Sequence, residues 1–244
     1  MARVTEAHVE ARRNQIVDAA WACFARKGYH QTTMQDIASE AGISAGAIYR
    51  YYPSKEAVLK AINDRSQELG RALVEWARSQ AGGPTGTLGV IGRAMLSVFA
   101  HPEFETMTRV NIEVWPEVIR SDTLRNAIRT ELSFWRTVVA ELLAGAEARG
   151  ELREGVDPEA AAVLLISAYE GLRHYWLLDP ENFTPERLIA AAGGLFTTDV
   201  QINVEALVDA APGLAPPLGI EVRRSGTRDD DVRPAGDGPP GGNR

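Results

Sequence analysis

The amino-acid sequence predicts an all-α protein, and three observations support this fold class. Apolar residues recur at helical spacing through most of the first 200 residues, whereas no useful length alternates with the period of two that strands require. Helix-start signals recur, since Asp157-Pro158-Glu159 and Thr184-Pro185-Glu186 each place a capping residue before a proline and an acid. Glycines stand where helices must end, as at Gly28 and Gly150.

The most informative local pattern is that of a helix-turn-helix. Thr33 is placed to cap a first helix, with Asp36 as its capping-box partner. Gly42 stands where that helix must stop, and Ser44 can cap a second helix that runs to about Tyr51. Apolar residues at five positions let two short helices pack at a steep angle: Ile37, Ala38, Ala41, Ile43 and Ile48. In this motif the second helix enters the major groove of DNA.

The flanking segments favour this interpretation over a plain helical hairpin. An upstream helix with one apolar face ends at Gly28, and Ser54 is placed to cap a helix that begins at Lys55. The matching elements are Ile16-x-x-Ala19-Ala20, Phe24-x-x-x-Gly28-Tyr29, Thr33-Met34-x-x-Ile37-Ala38, Ala41-Gly42-Ile43-Ser44 and Ile48-Tyr49-x-Tyr51-Tyr52-x-x-Lys55. Through these motifs residues 12–62 resemble the N-terminal domain of the TetR/AcrR family of bacterial transcriptional regulators.

The resemblance implies which side chains contact DNA. It places four residues at phosphate-contacting positions: Thr33, Tyr49, Tyr51 and Lys55. The face expected to meet base edges carries Ser44, Ala45, Gly46 and Arg50. Arg50 is the only long donor on that face and suits a guanine, whereas Ala45 replaces the lysine often found there in the family. We expect Arg50→Ala to relax base preference and Lys55→Ala to weaken binding to all sequences. Tyr52 falls where the family packs a core aromatic residue.

The remainder of the chain resembles the family only as a string of helices. The resemblance implies a ligand pocket among the middle helices and a dimer interface from the last two long helices, predicted at about 158–178 and 185–197. Aromatic and polar residues that could line the pocket are Met107, Asn111, Trp115, Phe134, Trp135, Tyr169, His174, Tyr175 and Trp176. For any one of them, an ordinary place in the core or interface is the more common role.

These patterns divide the chain into three parts. Residues 10–70 form the predicted DNA-binding domain, with its motif at about 33–52, and residues 71–211 form a larger helical domain for ligand binding and dimerisation. Residues 212–244 are rich in glycine, proline and charge and are predicted to be a disordered tail. Within the larger domain, helices are predicted near 87–100, 102–118, 121–149 and 204–211. Residues 81–86, AGGPTG, are interpreted as a linker, since they lack the Gly-Lys-Ser/Thr ending of a phosphate-binding loop.

Charge is distributed unevenly between the domains. The whole chain carries −7, but residues 1–60 hold eight Lys or Arg against six Asp or Glu, a net +2. The rest of the chain therefore carries −9. A mildly basic N-terminal part attached to an acidic body orients the molecule on a phosphate backbone, with binding that weakens as salt rises.

Several other classes of protein are disfavoured. No apolar run is long enough for a membrane span, and the N-terminus lacks the apolar core of a signal peptide, so a cytoplasmic protein is expected. The single cysteine, Cys23, excludes an internal disulfide and is interpreted as a core residue. The lone His174 and the group His101, Glu103 and Glu105 do not suggest a metal site. No Gly-x-Ser-x-Gly, zinc or dinucleotide motif occurs, so neither an enzyme nor a cofactor is expected.

The sequence therefore predicts a ligand-responsive repressor. A homodimer would bind a near-palindromic double-stranded DNA operator and be released by a small-molecule inducer. A DNA-bound scaffold that recruits a protein partner and senses no ligand would use the same N-terminal domain, and the sequence leaves that alternative open.

Overall fold

The computed structural model describes residues 6–101 and 103–196, without the side chains of residues 185 and 186. Within these ranges the chain folds into nine α-helices: α1 Glu6–Lys27, α2 Met34–Glu40, α3 Ala45–Ile48, α4 Lys55–Gln80, α5 Pro84–Ser97, α6 Phe104–Arg120, α7 Asp122–Glu147, α8 Pro158–Leu178 and α9 Pro185–Phe196. Short 3-10 turns occur at Val98–Ala100 and Pro180–Asn182. The part of the chain described contains no β-strand, so the predicted all-α fold class is confirmed.

Helix starts follow the predicted capping residues. The side chains of Thr33, Ser44, Ser54 and Asp157 each accept a hydrogen bond from a backbone N–H in the first turn of the helix that follows. Ser121 does the same for α7. These bonds satisfy N–H groups that have no partner inside the helix, and each such cap stabilises its helix by about 1 kcal/mol.

The N-terminal helices do not close their apolar core alone. The buried face of α1, including Cys23 and Phe24, packs against α2, α3 and the start of α4. The same cluster continues into Val110, Val114 and Val118 of α6. The N-terminal helices are therefore joined to the larger domain through shared apolar packing.

The larger domain is built around α7, which packs against α4, α5, α6 and α8. One buried cluster joins α7 to α8, and a second joins α7 to α4 and α5. A third, aromatic cluster lies where the end of α5 and the start of α6 meet α8 and α9. None of the helices in the described ranges is both long and apolar enough to span a membrane.

Some predicted boundaries differ from those observed. The second helix of the motif ends at Ile48, three residues before the predicted end at Tyr51, and turns follow it. The predicted linker at 81–86 is wrong in its second half, because Pro84 begins α5 at a position where its missing N–H is not needed. The domain boundary predicted at residue 70 falls inside α4, which is one continuous helix. The predicted helix at 204–211 and the predicted tail at 212–244 lie outside the described residues.

Candidate DNA-binding surface and ligand-domain polar cluster

The start of α2 has both hydrogen bonds of the predicted capping box. Thr33 Oγ1 accepts from the backbone N–H of Asp36 at 3.1 Å, and Asp36 Oδ2 accepts from the backbone N–H of Thr33 at 2.9 Å. Lys27 Nζ lies 2.6 Å from Asp36 Oδ1. The hydrogen bond from Lys27, followed by those from Thr33, holds the pKa of Asp36 well below its usual range. The entry to the motif is therefore fixed by paired charges at neutral pH.

The turn between α2 and α3 is fixed equally well. Gly42 has φ of 63°, a left-handed conformation that favours glycine. Its N–H donates to Ser39 O at 3.1 Å, and the N–H of Ile43 donates to Ala38 O at 3.0 Å, which together form a Schellman motif. Gln15 of α1 donates from Nε2 to Ala41 O at 2.8 Å. The turn is thereby attached to α1, which supports the motif from behind.

An exposed face is left on α3 and the turn after it. Gly46, Tyr49 and Arg50 lie three and four residues apart and are all exposed, Tyr49 to 55%. The Arg50 side chain has no ion pair or hydrogen bond to any described residue. Ala45 is half-buried, and Ser44 uses its hydroxyl to cap α3 at 3.3 Å. Of the residues predicted to contact DNA, Tyr49 and Arg50 are those with free polar groups at the surface.

Lys55 differs from the other predicted phosphate contacts because its ammonium group is bonded to backbone carbonyl oxygens within the protein. Its Nζ donates to the carbonyl oxygens of Tyr29 at 2.7 Å and Thr32 at 2.9 Å, with a longer contact to His30 O at 3.5 Å. It also lies 4.2 Å from the centroid of the Tyr29 ring. Burial lowers the pKa of Lys55. The ammonium group fastens the loop between α1 and α2, and the role of Lys55 at phosphate stays a prediction.

Two aromatic residues follow α3 on the buried side. Tyr52 is buried in the N-terminal core, as the sequence predicts, with the guanidinium of Arg13 5.9 Å from its ring centroid. Tyr51 is half-buried and packs against the same core. Its predicted phosphate contact stays a prediction, as do those of Thr33 and Tyr49.

Hydrogen bonds from α6 and from Ser121 join the larger domain to the N-terminal helices, and this contact is here named the joint. No local sequence pattern predicts it. The Glu113 carboxylate of α6 accepts from the backbone N–H of Tyr29 at 2.7 Å, and His30 Nε2 lies 3.2 Å from Glu113 O. Gly28 makes this approach possible, because a Cβ there would lie 2.6 Å from a Glu113 carboxylate oxygen. At the other end of α6, the Ser121 hydroxyl hydrogen-bonds the carboxylate of Glu56 in α4. Only a fold that brings α6 against this loop reveals the contact.

The predicted pocket residues lie in different packing environments. Met107 lines a cavity of about 60 Å³ between α1, α4 and α6. Trp135 packs with Phe134 against α4 and α5, whereas Tyr169 and Trp176 belong to the aromatic cluster at the other side of α8. Trp115 and Tyr175 are exposed, and the Tyr175 hydroxyl donates to Asp179 at 3.1 Å. Asn111 and His174 are half-buried. A shared ligand pocket for these residues stays a prediction.

Four polar side chains of α7 and α8 interact electrostatically and are here named the polar cluster: Glu131, Tyr169, Glu170 and Arg173. Arg173 Nη1 lies 3.4 Å from Glu170 Oε2. Burial raises the pKa of Glu131 to about 7, Glu170 adds to the shift and Arg173 opposes it. Burial also raises the pKa of Tyr169 to about 12.

A signal for this cluster does exist in the sequence. Glu131 lies four residues from both Ala127 and Trp135, so it interrupts an apolar stripe at helical spacing. Arg173 likewise lies between Tyr169 and Trp176 on one face of α8. A charged residue at the centre of an apolar stripe indicates either a paired interior charge or a binding site. In the described ranges no His, Cys, Asp and Glu side chains group in a way that could hold a metal ion.

The last two long helices carry exposed apolar side chains. Val163, Leu164 and Leu178 of α8 and Leu195 of α9 are each at least half exposed, Leu178 to 85%. Isolated apolar residues at a surface are common, but four on two adjacent helices are consistent with the predicted interface.

Known proteins resemble the chain along most of its described length. Residues 16–62 match the model for bacterial regulatory proteins of the tetR family, and residues 92–196 match the model for the C-terminal part of BetI-type transcriptional repressors. The HTH-type transcriptional regulator TtgR of Pseudomonas putida is 29% identical over 186 residues, covering 75% of this chain and 88% of TtgR.

Solved structures of transcriptional regulators have a fold similar to that of this chain. SmeT, the repressor of the Stenotrophomonas maltophilia multidrug efflux pump SmeDEF, has a TM-score of 0.60 at 27% identity, covering 77% of this chain and 91% of SmeT. The SmeT–triclosan complex gives a TM-score of 0.61 at 26% identity, covering 78% and 93%. A helix-turn-helix domain followed by a helical domain is the architecture that the matched family models and solved structures share with this chain. The chain belongs to the tetR family of bacterial regulatory proteins and is a transcriptional regulator.

Proposed function

We propose that this regulator is a ligand-responsive repressor that binds a near-palindromic DNA operator as a homodimer. The main observation in favour of DNA binding is the exposed face of Gly46, Tyr49 and Arg50. The helix-turn-helix that supports this face has hydrogen bonds at both helix caps and in the turn. A rigid support is what a short recognition helix needs, because four residues alone would not hold a helical conformation in water.

Arg50 is proposed to read a base and Tyr49 to contact a phosphate. The guanidinium of Arg50 has no partner among the described residues, so its fork can meet both acceptors of a guanine in the major groove. Gly46 allows the backbone of α3 to approach the DNA closely. Thr33, Ser44 and Lys55 use their polar groups inside the protein, so any contact that they make with phosphate would have to be shared with those bonds.

Dimerisation is proposed through α8 and α9. Their exposed apolar residues would be buried in a two-fold interface, which places two recognition helices about one DNA turn or a multiple of it apart.

Regulation is proposed to act on the separation of the two recognition helices. The larger domain meets the DNA-binding part through continuous α4 and through the contacts of Glu113 and Ser121. A ligand that binds one arrangement of these helices more tightly would shift the dimer toward that arrangement. SmeT, whose fold is similar, has been solved with triclosan, which supports a small-molecule ligand here.

The DNA part is tested by selecting binding sequences from a random duplex pool and measuring their affinity by fluorescence anisotropy. Wild-type protein should prefer a near-palindromic sequence, and Arg50→Ala should reduce discrimination at one symmetric base pair by about 1–3 kcal/mol. Arg129→Ala, an exposed arginine of α7, is the matched control and should leave the preference intact. Selection that yields no preferred sequence would refute the proposal.

The ligand part is tested by thermal unfolding with a panel of drugs, lipids and aromatic metabolites that includes triclosan. A compound that stabilises the protein and also releases the selected DNA supports ligand-gated repression. A compound that stabilises the protein without affecting DNA binding contradicts gating. If no compound in a broad panel has either effect, a DNA-bound scaffold that recruits a protein partner becomes the better interpretation.

A further inference from the structure

An exposed apolar stripe runs along the second half of α6, on the face turned away from the N-terminal core. Its members are here named the α6 stripe: Ile112, Trp115, Pro116 and Ile119. The opposite face of the helix is buried, since Val114 belongs to the N-terminal core. Ile119 is 66% exposed and Ile112 is 41% exposed. Because the members follow one another at helical spacing, they form one continuous surface and are not isolated apolar residues.

The residues of the α6 stripe are arranged symmetrically about a midpoint between its second and third members. Ile112 and Ile119 lie at equal distances on either side of this midpoint, about 5 Å along the helix. Farther out, Arg109 precedes the midpoint by as many residues as Asp122 follows it. The side chain of Arg109 is 65% exposed, and that of Asp122, just past the end of α6, is 89% exposed. An exposed positive charge at one end is therefore matched by an exposed negative charge at the other.

This arrangement is complementary to a second copy of the same helix. In an antiparallel crossing of two α6 helices at the midpoint, Ile112 of each copy lies against Ile119 of the other. Arg109 of each copy then lies opposite Asp122 of the other. Each of these two charges has an ion pair at the surface within its own helix, and exposed pairs of this kind are weak enough to be shared. The apolar contact and the charge contact therefore both occur twice about one two-fold axis.

We propose that the α6 stripe joins one homodimer to another through an antiparallel, two-fold contact between their α6 helices. Trp115 lies at the centre of this contact, where large aromatic side chains contribute most to binding. The stripe is smaller than the ~800 Å² per partner of a standard stable interface, so the homodimers associate only at high protein concentration. The inference rests on the proposed homodimer and adds a second surface to it, because the homodimer uses exposed residues of α8 and α9.

Disulfide cross-linking of the full chain tests the register of this contact. Proteins with Ile112→Cys or Ile119→Cys are oxidised under mild conditions, either alone or as an equimolar mixture. In the mixture the two introduced thiols face each other, so a cross-linked species should form at least about tenfold faster than with either variant alone. Within one variant the equivalent positions lie about 10 Å apart along the helix axes, which is too far for a disulfide. The native Cys23 is buried and does not compete.

Sedimentation velocity between about 5 and about 200 µM protein measures the assembly itself. Wild-type protein should be dimeric at the lower concentration and shift to larger species at the higher one. Ile119→Asp places a carboxylate inside the contact, so it should keep the homodimer but raise the concentration needed for the shift at least about tenfold. The matched control Thr137→Asp adds the same charge at an exposed position of α7 and should behave as wild type.

Charge reversal tests the ends of the contact. Arg109→Asp and Asp122→Arg should each reduce the amount of the larger species, because each places like charges opposite one another. The two substitutions combined should restore the larger species, since opposite charges again face each other across the axis. Cooperative thermal unfolding of each variant shows that it is folded.

Several results would overturn the inference. Wild-type protein could stay dimeric over the whole concentration range, or the mixed cysteine variants could cross-link no faster than either alone. A folded Ile119→Asp variant that is monomeric would show that the stripe belongs to the homodimer interface. A combined charge reversal that stays as weak as its single variants would exclude the antiparallel register. Wild-type protein that is monomeric at low concentration contradicts the proposed homodimer, whereas faster cross-linking in the mixture would still demonstrate the contact between α6 helices.

Discussion

The DNA-binding motif and the polar cluster differ in how completely their polar groups are satisfied. In the motif, Thr33, Asp36 and Ser44 all have intramolecular partners, and the turn at Gly42 is closed by backbone hydrogen bonds. In the polar cluster, the Nε atom of Arg173 is buried without a partner among the described residues, and Glu131 makes no hydrogen bond there although Arg173 interacts with it electrostatically. The motif is therefore held in one conformation by its own hydrogen bonds, whereas the polar cluster leaves a carboxyl group and a buried guanidinium nitrogen without a hydrogen bond in the described part of the chain.

The two regions are nevertheless connected. Glu113 of α6 holds the loop at Tyr29, while the ring of Phe104 in the same helix lies 6.0 Å from the guanidinium of Arg173 in the polar cluster. One helix therefore contacts both the satisfied and the unsatisfied region.

The largest expected effect comes from truncating a buried phenylalanine in each region. Phe24 in the N-terminal core and Phe104 beside the polar cluster are both 1% exposed. Replacing either by alanine should lower the free energy of unfolding by about 3–5 kcal/mol, measured by urea denaturation. At a temperature where both variants stay folded, Phe24→Ala should lose affinity for selected DNA, and Phe104→Ala should keep it. Equal loss of DNA binding in both would show that the two regions do not act separately.

The next effect concerns Glu131, whose carboxyl group makes no hydrogen bond to any described residue. The pKa of Glu131 is raised to about 7, above the usual value of a free carboxyl, so the folded state binds this proton more tightly than the unfolded state. Wild-type stability is therefore retained at low pH and lost as pH rises toward 7. Glu131→Gln should be more stable than wild type by about 2–3 kcal/mol at pH 8, with the difference shrinking toward pH 4.5.

The matched control for that experiment is Glu147→Gln, which removes an exposed acid from the same helix. Urea unfolding of both variants between pH 4.5 and pH 8 separates the local effect from a change in net charge. A Glu131→Gln variant less stable than wild type at pH 8 would mean that the carboxylate has a favourable partner in solution, and the contrast between the two regions would disappear.

How well the sequence predicts each region depends on how far apart along the chain the interacting residues lie. Thr33, Gly42, Ser44 and Ser54 act on neighbours within three or four residues, so their spacing was sufficient to predict the motif. The joint at Glu113 connects residues 84 positions apart, and nothing local marks it. Long-range contacts of this kind depend on helix packing, which the periodicity of one helix does not determine.

The pocket residues show the same limit. Trp135, Tyr169 and Tyr175 were grouped because they are aromatic residues on predicted middle helices, yet the packing places them in separate clusters or at the surface. Glu131 and Arg173 each interrupt an apolar stripe, and the structure places them within electrostatic range of one another. A charged residue within an apolar stripe is therefore a more specific signal of an unusual interior site than an aromatic residue on a helix. The reason is that an interior charge is costly and therefore uncommon.

Lys55 tests whether the motif is as self-contained as its caps suggest. Lys55→Met keeps the apolar stem but removes the donor to the carbonyl oxygens of Tyr29 and Thr32. Loss of these bonds should lower the free energy of unfolding by about 1–3 kcal/mol and weaken binding to selected and random DNA alike. Lys60→Met removes only a surface pair with Asp64 and should change stability by less than about 0.5 kcal/mol. If Lys55→Met weakens DNA binding without loss of stability, its role at phosphate outweighs its role in the loop.

The smallest effect expected is that of the capping box. Thr33→Ala should lower the free energy of unfolding by about 1 kcal/mol, and Thr33→Ser should restore most of it, because serine supplies the same acceptor. The pKa of Asp36 is depressed by Lys27 and Thr33, so its stabilising effect is present above pH 4 and is lost as pH falls below that value. The difference between wild type and Thr33→Ala should therefore be constant from pH 5 to pH 8 and decrease in stronger acid. A difference that persists undiminished after Asp36 is protonated would show that the hydroxyl caps α2 without help from the carboxylate, and the motif would depend less on paired charge than its geometry indicates.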